Sequence, residues 1–209
     1  MKRVIMAAVV GVALAGCSTG AGELLAGQNR TVEYVRVFDI KTEAPPPAVV
    51  RAASEGLSRN IQNATLATPL PETEDRLDQP GRFKLAETPG AARGPSCDGA
   101  SWTAKARPDV RGSQDTHVVA CLYPYKTGYH LDMYAAVTKK EGGWLAWPRR
   151  ATGYFMGTPE KFVEKTMIDL VRTIRETTGA QVALVEAKPE LAGAPWLEPS
   201  RPGAQASKP

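Results

Sequence analysis

Residues 129–138 read YHLDMYAAVT, in which Tyr129, Leu131, Met133, Ala135 and Val137 alternate with His130, Asp132, Tyr134 and Thr138. Successive side chains of an extended chain point to opposite faces, so the alternation predicts a strand with one buried side. Upstream, residues 117–123 read as apolar throughout. Before the turn at residues 108–115, Trp102, Ala104 and Ala106 alternate with Thr103, Lys105 and Arg107. These three segments are expected to form an antiparallel meander. Downstream, Glu141-Gly142-Gly143 is a turn signal, and residues 144–147 are expected as a fourth short strand stopped by Pro148.

Two further strands and two helices flank this centre. Residues 31–40, TVEYVRVFDI, are rich in β-branched and aromatic residues, with Val32, Tyr34, Phe38 and Ile40 on one face. After Pro45-Pro46-Pro47, the positions Val50, Ala53, Leu57 and Ile61 recur at helical spacing, opposite Arg51, Glu55 and Arg59. Gly56 weakens that helix slightly. Residues 65–96 are rich in Pro, Thr, Glu and Gly and read as a long connection holding one short strand near residues 82–86. A second helix opens at Thr158-Pro159-Glu160, buries Val163, Met167, Leu170, Val171 and Ile174, and stops at Gly179. Residues 180–187 are the last strand. The fold expected is α+β, a largely antiparallel sheet with two helices packed on one face, in the order β-α-β-β-β-β-α-β.

The beginning of the chain carries a different kind of signal. Lys2 and Arg3 precede an apolar run over residues 4–14, and Leu14-Ala15-Gly16-Cys17 follows. This resembles a bacterial lipoprotein signal, whose cysteine becomes the lipidated first residue of the mature protein. A membrane-spanning reading of residues 4–16 is too short, since crossing ~30 Å of hydrocarbon takes ~20 apolar residues. An ordinary secretory signal cut after Ala13-Leu14-Ala15 would leave Cys17 as a free thiol, a liability in an oxidising compartment. The resemblance implies acyl chains on Cys17, and three chains total on the order of 30 kcal/mol of anchoring. Ser18, where an Asp favours inner-membrane retention in enteric bacteria, implies the periplasmic leaflet of the outer membrane.

With Cys17 lipidated, Cys97 and Cys121 remain of the three cysteines. The implied address permits oxidation, so they are expected to form a disulfide that stabilises the fold by ~3 kcal/mol. The chain then divides into a signal peptide (residues 1–16), a lipidated tether (17–30), one α+β domain (31–187) and a Pro-rich disordered tail (188–209).

Charge excludes one class of partner. The formal net charge is +4, and loss of Lys2 and Arg3 with the signal halves it. That leaves no electrostatic footprint for nucleic acid.

Catalytic signatures are sparse. His117 and His130 each have an acid two residues away, Asp115 and Asp132, and either pair could be a base with its orienter. No nucleophile elbow, phosphate loop or cofactor fingerprint accompanies them, and a solvated surface is the expected setting of both pairs. Two histidines without a cysteine or carboxylate cluster make a poor zinc site, so neither metal nor cofactor is expected. The best binding candidate is residues 144–155, where Trp144, Trp147, Arg149, Arg150, Tyr154 and Phe155 concentrate the side chains that dominate binding surfaces.

The expected function is a membrane-anchored lipoprotein of the cell envelope that binds or scaffolds other envelope proteins without catalysis. In outline it is similar to the small α+β lipoproteins that serve outer-membrane assembly machines, such as the helix-grip subunit of the barrel-assembly complex. The alternative is a periplasmic module binding a lipid or glycan between sheet and helices. An envelope hydrolase is the weakest reading.

Overall fold

Alternation and chain reversal at Gly128 make strand β7 (Gly128–Glu141) the hub of the sheet. On one side it pairs antiparallel with β6 (Asp115–Tyr125). On the other it pairs with β1 (Gln28–Lys41) in unbroken register, from Gln28 opposite Glu141 to Lys41 opposite Gly128. The computed structural model describes residues 28–68, 77–85, 94–141 and 157–191. Among these, the main sheet also contains β2 (Thr65–Ala67), β5 (Trp102–Ala106) and β8 (Gln181–Lys188), in the spatial order β2-β5-β6-β7-β1-β8. The short β3 (Lys84–Leu85) and β4 (Pro95–Ser96) pair separately.

Helices α1 (Pro46–Ser58) and α2 (Pro159–Thr178) bury their apolar stripes against one side of this sheet. Tyr34, Phe38 and Ile40 of β1, Tyr129, Leu131, Met133, Ala135 and Val137 of β7, and Trp102 and Ala104 of β5 form the facing surface. The fold is α+β. All five expected stripe positions of α2 are buried, Thr158 accepts a hydrogen bond from the Lys161 amide, and Gly179 ends the helix in the left-handed region. Trp102 ties β5 to α1 through its indole N–H, which donates to Ser54 Oγ at 3.0 Å.

Several sequence expectations need correction. The described order is β-α-β-β-β-β-β-β-α-β, because Thr65–Ala67 and Pro95–Ser96 are strands beside Lys84–Leu85, while the strand expected at residues 144–147 lies outside the described residues. Each is very short, and β2 is wholly exposed, so neither shows the alternation that burial imposes. The first strand starts at Gln28, and the last spans Gln181–Lys188. The α1 stripe is broader than expected and shifted at its start: Ala53 and Leu57 are buried as expected, as is Ile61 beyond the end of the helix, while Val49, Ala52 and Gly56 join them and Val50 is only partly buried. The cause is Gly56. A Cβ there would stand 2.7 Å from the Leu170 Cα, so its bare backbone lets α2 cross in direct contact.

Arg36 sits on the helix side of β1 between Tyr34 and Phe38 and is 1% exposed. Its guanidinium donates to the carbonyls of Val35 and Lys188, each at 2.8 Å, and to Glu164 Oε1 of α2 at 3.3 Å. A buried charge needs such partners, and here they join three elements at the β8 edge.

Candidate functional site

The opposite face of the sheet carries the other half of the alternation. Its rows run across strands: Ala183, Asp39, His130 and Tyr123 in one, and Glu186, Val37, Asp132 and Cys121 in the next. Residues 77–85 lie over these rows as a strap. Several contacts fix it. Gly81 rests on the Tyr123 ring so closely that a Cβ would stand 2.6 Å from Cδ1. The Phe83 amide donates to Asp132 Oδ2 at 3.0 Å, and the Lys126 amide donates to the Leu77 carbonyl at 3.0 Å. The following segment is fastened covalently, because Cys97 and Cys121 form a disulfide. Phe83, Cys97 and Ala100 complete a small second core over Val119, Cys121 and Tyr123.

Beneath the strap lies a polar cluster. Asp132 is fully buried, and Arg82 reaches it from the strap through Nε at 3.1 Å while donating from Nη2 to Glu186 Oε2 at 2.8 Å. Burial pushes the Asp132 carboxyl up from its ordinary range, against the opposing pull of the Phe83 amide and Arg82. Glu186 is held low by hydrogen bonds from Lys188 and Arg82. Burial, reinforced by the Asp132 charge, raises the Tyr123 phenol. The Tyr125 hydroxyl donates to Asp39 Oδ1, and its ring meets His130 edge-on with centroids 5.8 Å apart. Tyr123 Oη, His130 Nδ1 and Asp132 Oδ1 are buried with no hydrogen-bond partner within the described protein. All three belong to this one patch.

The sequence-expected sites fare differently. Cys97 and Cys121 are joined as expected. His117 Nε2 and Asp115 Oδ2 pair at 2.7 Å on a partly exposed edge, the surface setting expected for them. His130 and Asp132 share a side of β7 as their spacing requires, yet Asp132 is buried, His130 is mostly so, and they do not bond each other. His130 faces Asp39, 4.0 Å from Nε2, and Asp132 faces Arg82. The surface reading of that pair is therefore corrected: the strap shields it from water. Cys17, Trp144, Trp147, Arg149, Arg150, Tyr154 and Phe155 lie outside the described residues.

Asp39, Arg82, Tyr123, Tyr125 and Glu186 belong to the cluster and were not singled out by sequence. One signal for them exists. Residues 118–123 are apolar on both alternating sets, the pattern of a strand covered on both faces.

No group of three or more metal-ligating side chains occurs among the described residues. A depression of about 820 Å³ at one end of the sheet, bordered by Lys41, Thr42, Lys126, Thr127 and Gly179, contains none of the unpaired buried groups. Compared with protein-family models and with curated proteins, the chain matches none.

Proposed function

We propose that this chain is a lipoprotein of the bacterial cell envelope, anchored through Cys17 and acting as a binding or scaffolding protein without catalysis. One observation carries the reading: Cys97 and Cys121 are bonded to each other, so of the three cysteines only Cys17, in its Leu-Ala-Gly-Cys setting, is left for a thioether. A disulfide over the sheet also suits an oxidising compartment. The outer-membrane assignment rests on Ser18, and the docking surface proposed for envelope partners is Trp144, Trp147, Arg149, Arg150, Tyr154 and Phe155.

The test is the state of Cys17. Expressed in a Gram-negative host, the wild type should partition into detergent and yield an acylated N-terminal peptide at residue 17 by mass spectrometry. Cys17→Ala should stay in the aqueous phase. A wild-type protein that keeps residues 1–16, or begins at another residue with an unmodified thiol, overturns the assignment. Alanine at Trp144, Trp147 and Arg149 should abolish co-purification of envelope proteins while leaving acylation intact.

A second reading is a ligand-binding module, and it is favoured by the unpaired Tyr123 Oη, His130 Nδ1 and Asp132 Oδ1, which glycan hydroxyls would complement. The space between sheet and helices is filled by the main core, so such a ligand would belong on the strap side. Native mass spectrometry of the detergent-extracted protein should then show a bound saccharide that Asp132→Ala loses.

A further inference from the structure

His130 is 14% exposed, and five elements surround it. Strand β1 presents Asp39, with Oδ1 4.0 Å from Nε2. Strand β6 presents the edge of Tyr125 and, directly opposite in register, Tyr123. Its own strand carries Asp132 two residues on. The strap brings Arg82 over the same patch, and β8 contributes Glu186, which holds Arg82 and is itself paired with Lys188 at 2.8 Å.

We propose that residues 77–85 are an acid-sensitive cover: a proton on His130 places a cation beneath Arg82 in a site largely shielded from water, and the strap lifts so that it can hydrate more fully. The disulfide at Cys97 keeps the far end attached, so the cover hinges on the sheet and does not leave it. Lifting it uncovers Tyr123, His130 and Asp132 together, a polar surface hidden at neutral pH.

The direction follows from linkage. Burial holds the imidazole below its ordinary 6.5; Asp39 works against this and Arg82 adds to it. The closed state therefore binds fewer protons than the open one, and closure weakens as pH falls from about 6.5 toward the depressed value. Asp132 acts oppositely, because its raised carboxyl takes up a proton more readily when covered. Glu186, held low, stays ionised until the solution is more acid, and the raised Tyr123 and Tyr125 phenols remain neutral throughout.

Hydrogen exchange on the oxidised full chain tests this. Between about pH 7.5 and about pH 5.5, protection of the Phe83 and Lys126 amides, corrected for intrinsic exchange, should fall on the order of fivefold, while the β6–β7 ladder keeps its protection. In His130→Gln the fall should vanish. A flat wild-type profile, or an unchanged fall in the variant, overturns the proposal. Should the variant not fold, the wild type decides by two readouts: strap exchange that rises along the His130 imidazole titration followed by NMR supports the cover, and exchange that is flat through that titration overturns it.

Discussion

Arg82 and Asp132 meet at 3.1 Å across the face of the sheet turned away from the helices, the guanidinium 43% exposed and the carboxylate wholly enclosed. The asymmetry defines their roles. Water still solvates part of Arg82, whereas Asp132 has only Arg82 and the Phe83 amide to offset its loss of hydration.

Arg82→Ala should therefore destabilise the domain by about 2 kcal/mol, below the usual range for a fully enclosed pair because the arginine end is half open. Urea unfolding at neutral pH measures it. Asp132→Asn combined with Arg82→Ala should recover part of the loss, since no enclosed charge is then left without a counter-ion.

Removing the disulfide should act on the strap first. Cys97 and Cys121 are 24 residues apart, and a loop of that length is worth about 3 kcal/mol in the chain-entropy model. In the double serine variant, hydrogen exchange should accelerate across residues 77–85 and 94–101 before the β1–β7 ladder is affected.

Gly56→Ala reverses the ordinary helix preference. Alanine in a helix interior is normally favoured over glycine by about 1 kcal/mol, but here its methyl would meet the Leu170 backbone. A net loss of about 2 kcal/mol should appear as a lower thermal midpoint, since two helix backbones must separate to admit the methyl group.

Glu186→Gln should change the acid side of the stability curve. Its folded pKa is depressed below 4.5 by Lys188 and Arg82, so its contribution is present above the ordinary value and lost as pH falls through the depressed one. Between about pH 5 and about pH 3, the wild type should lose stability more steeply than the variant, as read from urea midpoints at each pH.

The legible parts of the fold are those whose causes lie close together in sequence. Thr158, Pro159 and Glu160 start α2 within one turn, its stripe recurs at helical spacing, and Gly179 stops it. Likewise, β7 declares itself by strict alternation. The strap is different, because its fasteners pair Arg82 with a residue 50 positions away and with Glu186, 104 positions away. Nothing local to Gln79-Pro80-Gly81-Arg82-Phe83 reveals that it crosses a sheet. The α1 error has the same origin: Gly56 reads as a weak helix residue until Leu170 is seen against it.

The position of β1 governs how the chain can acquire its structure. Although made first, this strand is flanked by β7 on one side and β8 on the other, so neither neighbour exists until most of the polypeptide has been synthesised. The β5-β6-β7 hairpins can zip up early from nearby residues, but the β1–β7 ladder joins partners roughly a hundred residues apart, and the β1–β8 ladder must await the carboxyl-terminal third. Any chain cut short before residue 181 leaves an unpaired edge on β1, and such fragments should aggregate instead of forming a smaller stable domain.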